Sequence, residues 1–271
     1  MQQVQEGNIG GLIRQWRVHR RLSQMDFGLM AGVSSRHLSF IETGRSKPSR
    51  EMILQLARSL ELSYRQTNAM LKAGGFAEIY RTEEYNDVQL KLPLEVMRKM
   101  LKTHDPFPAF VIDRHWNIVE ANKGLQVLLE GVGPALLAQP ANAFRISLHP
   151  KGLSSRIINF AQWRAFALDR LAQEADKTAD TVLADLLKEF RSYRYKAATL
   201  EESIDAAYAD TPFIPFRLKT DLGELNLFGT VTRFGTPNHV LLSELAVEQF
   251  FPADEQSAKV MRTLHSRCAK T

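Results

Sequence analysis

The 271-residue chain has one cysteine, Cys268. A single thiol closes no internal disulfide and builds no thiolate metal cluster, so a reducing, cytoplasmic setting is expected. No apolar run approaches the ~18–20 residues that a helical membrane span needs. The opening MQQVQEGNIGG has no basic stretch leading into an apolar one, so no secretory signal is expected. Catalytic signatures are missing as well: there is no HExxH, GxSxG, glycine-rich phosphate loop or CxxC. The seven histidines are scattered, and no two have metal-ligand spacing. His149, ahead of Pro150, invites a haem reading, but LHPKG reads better as a turn with His149 in a local hydrogen bond. The expectation is a non-enzyme without cofactor or metal.

What is present is ordinary in bulk: 44% apolar and 24% charged residues suit a soluble globular protein, and the length suits about two domains. The charge is not evenly spread. Residues 1–75 carry eleven Lys and Arg against five Asp and Glu, a net of +6. The whole chain is +5, so the remainder is −1. A basic segment on a near-neutral body fits a polyanion-binding module joined to something else. Charge alone fits a solvated basic surface equally well, so pattern must decide.

The basic segment reads as five short helices. Residues 8–21 place Ile9, Leu12, Ile13, Trp16 and Val18 at helical intervals. Ser23 caps a second helix with Met25, Phe27, Leu29 and Met30, and Gly32 supplies a turn residue able to take φ > 0. Ser34 caps a third helix through Ile41, which Gly44 ends. Pro48–Ser49 opens a fourth with Met52, Ile53, Leu56, Ala57 and Leu60 on one face, and a fifth spans about 63–72. In QMDFGLMAGVSSRHLSFIETG, Phe27, Ala31, Val33, Leu38 and Ile41 can pack two helices together across small Gly28. Ser34, Ser35, Arg36, Ser39 and Phe40 then point outward, as in a recognition helix.

This unit, with LSQ before the second helix and ETGRSKPS after the third, resembles the lambda-repressor-like, or XRE, helix-turn-helix family over about residues 8–73. The resemblance implies that Gln24, Arg45 and Lys47 contact phosphate and that Ser35, Arg36 and Ser39 match the base-reading positions, with Ser34 at the cap counted among the DNA-binding residues. It also implies that Arg17 and Glu42 form a structural ion pair. The partner implied is a double-stranded DNA operator.

Beyond Gly74–Gly75 the helical pattern breaks, and a linker is placed at about 74–90, followed by a helix at roughly 93–103 bearing Leu94, Met97, Met100 and Leu101. Phe110–Ile112, a turn at 113–115, a strand Trp116–Glu120 and a helix opened by Ala121–Asn122 resemble the start of a PAS-type sensor domain. Helices are predicted over 154–175 and 181–195, the second capped by Thr178 or Asp180. Then the period becomes two, predicting strands Phe213–Lys219, Leu225–Phe234 and Val240–Phe250. The expected fold is two domains: an all-α helix-turn-helix domain, then an α+β PAS-like domain with an antiparallel sheet of about five strands. The expected limits are 1–75, a connecting region 76–104, and 105–271.

Two strings, ISLHPKGLSSRIINFAQWRAFALDRL and LNLFGTVTRFGTPNHVLLSELAVEQFFPAD, resemble the MmyB-like ligand-binding domain over about 105–265. The resemblance implies a small apolar or fatty-acyl-like ligand and a homodimeric regulator of transcription. From the residues themselves only an apolar cavity follows, with Phe110, Phe144, Phe160, Trp163, Phe166, Phe228 and Phe234 available to line it. Arg145, Arg164 or Arg233 could meet a carboxylate head group. The alternative is a PAS-like domain that only dimerises or binds protein, its interior filled by side chains.

Overall fold

The computed structural model describes residues 8–82, 88–195, 213–235 and 237–268. The chain forms two compact units. One contains Met1–Tyr85 with Thr236–Ser243, and the other Asn86–Gly235 with Glu244–Thr271.

The first unit is built by helix capping and one apolar interior. Its helices are α1 (Ile9–His19), α2 (Gln24–Ala31), α3 (Ser35–Glu42), α4 (Arg50–Ser59) and α5 (Tyr64–Ala73). Ser23, Ser34, Ser49 and Ser63 each accept a backbone N–H from the first turn of the helix they precede. Each such bond satisfies a donor that the helix itself cannot, typically stabilising it by ~1 kcal/mol. Phe27, Ala31, Val33, Leu38 and Ile41 are all buried, as their spacing predicts. Met25, Leu29 and Met30 are exposed instead, because α2 turns only Phe27, Gly28 and Ala31 inward, and Val18 is exposed because α1 turns Gly10, Ile13 and Trp16 inward. Gly32 has φ +63, the left-handed turn expected of it. Residues 76–82 are tied to α5 by Asn68, whose side chain bonds Ile79 N, Tyr80 N and Tyr80 O. Within this unit His239 also forms a parallel bridge with Arg81.

The second unit is α+β. Its strands are β1 (Ala109–Ile112), β2 (Ile118–Ala121), β3 (Phe216–Thr220), β4 (Gly223–Thr232) and β5 (Ala246–Pro252). They form one antiparallel sheet in the order β2-β1-β5-β4-β3. The helices are α6 (Val88–His104), α7 (Lys123–Leu128), α8 (Pro134–Leu137), α9 (Ala143–Leu148), α10 (Phe160–Thr178), α11 (Thr181–Ser192) and α13 (Glu255–Cys268). A short α12, Val240–Glu244, precedes β5 in the chain, and all of it but Glu244 belongs to the first unit. One sheet face, carrying Phe110, Ile112, Phe216, Leu218, Leu225, Leu227, Ala246 and Phe250, joins Phe160, Trp163, Leu171, Leu183 and Phe190 in a single core.

Three details differ from expectation. The predicted strand Val240–Phe250 is helical at Val240–Glu244 and extended only from Ala246. Trp116 is not in a strand but in the turn, at φ +62, where Asp113 accepts from the N–H groups of His115 and Asn117. The helix predicted from residue 93 begins at Val88 with Pro93 inside it, and Leu90 in that added turn is 2% exposed. Burial of Leu90 offsets the hydrogen bond that proline cannot make.

Candidate functional site

Two regions carry the chemistry, one in each unit. In the first, α3 is held from behind. Arg17 Nε and Nη2 donate to Glu42 Oε1 and Oε2 at 2.7 and 2.9 Å. Gln24 Nε2 donates to Oε2 at 2.7 Å. Burial pushes the Glu42 carboxyl up, but the bonds from Arg17 and Gln24 outweigh it and hold it below the usual carboxylate range. Residues of α1, α2 and α3 thus converge on one buried carboxylate, which fixes the rotation of α3.

That rotation sets what faces solvent. Ser34, Ser35 and Arg36 are exposed and Ser39 and Phe40 half-buried, while Leu38, Ile41 and Glu42 point inward. The Arg36 guanidinium lies over the Phe40 ring, 5.5 Å from its centre. Ser34 accepts from His37 N as the cap, so its hydroxyl hydrogen remains for an outside acceptor. Arg45 and Lys47 are exposed in the loop after α3, whose backbone N–H groups at Arg45 and Ser46 both donate to Phe40 O. Gln24 uses one amide hydrogen on Glu42, and its amide nitrogen carries a second.

In the second unit the core holds a cavity of about 60 Å³, lined by Phe110, Phe144, Trp163, Phe216, Leu227 and Phe250 among others. A second cavity, about 330 Å³, is lined by Trp163, Phe166, Arg170, Phe213, Val231 and their neighbours. Trp163, Glu248 and Phe250 border both. Of the aromatic side chains expected to line a pocket, Phe110, Phe144, Trp163 and Phe166 do so. Phe160 is 1% exposed within the core and lines neither cavity. Phe228 points to the other sheet face from Leu227 and stacks on Phe251, and Phe234 also lines neither cavity.

Of the arginines considered for a carboxylate head group, Arg145 already forms a two-pronged bond with Glu189, both contacts 2.7 Å. Arg164 sits over the Tyr195 ring and Arg233 is exposed. None lines either cavity. The cavity arginine is Arg170, and it faces a residue the sequence reading passed over. Glu248, on the central strand, lies 3.0 Å from Arg170 Nη1. A glutamate in a strand reads as solvent-facing, yet Glu248 shares its side of β5 with Ala246 and Phe250, and this alternation was the available signal. His149 makes the expected local contact, accepting from Lys151 N at 3.0 Å.

No helix among the described residues is long and apolar enough to cross a membrane. Residues 13–66 match the helix-turn-helix family, and residues 95–264 match the MmyB-like transcription regulator ligand binding domain. A comparison with curated proteins finds no match. Both matched families are regulatory rather than catalytic. With more than half of its length in the second match and the helix-turn-helix ahead of it, the chain belongs to the MmyB-like family of DNA-binding transcription regulators.

Proposed function

We propose that this regulator reads a specific operator with α3 and answers to a small apolar ligand in its second unit. Ser34, Ser35, Arg36 and Ser39 face base edges, and Gln24, Arg45 and Lys47 contact phosphate. Phosphate contacts set register, whereas base contacts select sequence. The observation that carries this reading is the exposed polar face of α3, locked in rotation by the buried Glu42 cluster. Two copies in the cytoplasm would set two recognition helices about 34–36 Å apart on a pseudo-palindromic site. Residues 1–75 serve as reader, 76–104 as connection and 105–271 as sensor. A ligand shifts operator binding only as far as it favours one arrangement of the dimer over another.

Selection of bound DNA from a random library tests the reader. Recovery of a two-fold motif with half-sites one helical turn apart is expected, and a pool without any motif would defeat it. The alternative, a sensor domain filled by its own side chains, is favoured by the small size of the core cavity, about 60 Å³. Native mass spectrometry and organic extraction of the purified protein separate the two, since a filled interior carries and accepts no small molecule.

A further inference from the structure

The polar atoms at the shared wall of the two cavities are unusual for an apolar core. Glu248 sits on the inner face of β5, the central strand, opposite Phe110 of β1 and Val231 of β4. It is 8% exposed. Its Oε1 lies within ion-pair distance of Arg170 but receives no directed hydrogen bond. Trp163, 9% exposed, has an indole N–H with no acceptor. Ser147, the other polar side chain bordering the smaller cavity, is already satisfied by Phe144 O. A buried donor and a buried acceptor thus stand without a directed hydrogen bond on two residues that border the same space, an arrangement that costs stability until each finds a partner.

These two open positions select a head group by chemistry. The indole N–H only donates, so it needs an acceptor. The Glu248 oxygen needs a donor. A hydroxyl or a primary amide offers both, a carboxylate offers only acceptors, and an ammonium offers only donors. A ligand carboxylate would also place a second acid beside Glu248, where like-charge repulsion costs binding. Arg170 gives it little relief, because Glu248 already neutralises that charge.

Building on the ligand-binding reading above, we infer that this chain's sensor takes an apolar molecule headed by a neutral hydroxyl or amide, seated between Trp163 and Glu248, and discriminates against the matching fatty acid. The full-length protein is titrated calorimetrically at neutral pH with 1-decanol, decanamide, decanoate and decylamine. The alcohol and amide should bind at least about tenfold more tightly than decanoate or decylamine. Glu248→Gln should keep alcohol binding and narrow the preference over decanoate. Trp163→Phe should weaken the alcohol by roughly two- to tenfold, the worth of one hydrogen bond. Decanoate binding as tightly as decanol to the unaltered protein overturns the inference while leaving a ligand sensor in place. Binding of none of the four overturns the ligand-binding reading itself, and the inference with it.

Discussion

The Arg17 guanidinium and the Glu42 carboxylate meet through two parallel hydrogen bonds, with the carboxylate side chain 1% exposed. The pair joins α1 to α3. Arg17→Met would strand a buried charge and should cost about 3–5 kcal/mol of stability. The pH dependence has a definite sign. The folded carboxyl titrates below its unfolded value, so its stabilisation is full above the unfolded pKa and lost as pH falls through the lower folded one. Urea denaturation of the native protein and Glu42→Gln should show a gap at neutral pH that closes below about pH 4. A gap that ignores pH would count against the ion pair as its source.

Arg36 and Lys47 differ in what they can reach, so their removal should differ in kind. Arg36 projects from the first turn of α3 and can pair with both acceptors of a guanine edge, worth about 1–3 kcal/mol of discrimination. Lys47 lies in the following loop, where a phosphate is the expected partner. Arg36→Ala should relax base preference at one position. Lys47→Ala should weaken every sequence alike and reduce the salt slope by about 0.9. Equal, sequence-independent losses from both, measured by titration across a salt series, would remove Arg36 from the reader.

Asn122 shows how one side chain secures the β2-to-α7 corner. Its Oδ1 accepts from Ala109 N and Leu125 N at 2.9 and 3.0 Å. Its Nδ2 donates to Phe107 O and Leu101 O at 2.7 and 3.3 Å. The residue is 5% exposed, so water cannot replace these partners freely. Asn122→Ala should therefore destabilise the protein by more than the ~1 kcal/mol of a lost helix cap, reaching at least about 3 kcal/mol. A thermal or urea melt no different from an ordinary surface cap deletion would show that the corner relaxes.

Much of this architecture was legible because its signals are local. Serine before an apolar-periodic run marked three helix starts, at Ser23, Ser34 and Ser49, and Asn122 and Asp180, the latter one of two candidates with Thr178, marked two more, each now seen as a side-chain cap. What escaped was set by contacts remote in sequence or by side-chain bonding within a turn. Val240–Leu242 is apolar enough to read as strand, yet Val240 N donates to Arg81 O and the segment winds into a helix. Trp116 has strand-like chemistry, and only the Asp113 side chain, bonding across the turn, reveals its left-handed backbone. Glu248 needed the sheet order: β5 is central, and Val247 on its other face is buried too. The face of α3 was readable from spacing, whereas the alternation of Glu248 with Ala246 and Phe250 hinted at the polar wall of the cavity, and the sheet order made it plain.

Gly28 sets two opposing effects against each other. In the interior of α2, glycine costs about 1 kcal/mol relative to alanine, so propensity alone predicts that Gly28→Ala stabilises. Packing predicts the reverse. A Cβ there would lie 2.6 Å from Val33 O, a distance that side chains do not adopt, and the obstacle is backbone that cannot swing aside. Relieving the overlap means separating α2 from the turn leading to α3, at a typical cost of about 1–3 kcal/mol for an overpacked core. The packing term should win, giving net destabilisation and a loss of operator affinity as α3 tilts. An alanine variant more stable than the native protein in urea would show that the two helices separate cheaply, and that Gly28 is not what brings them together.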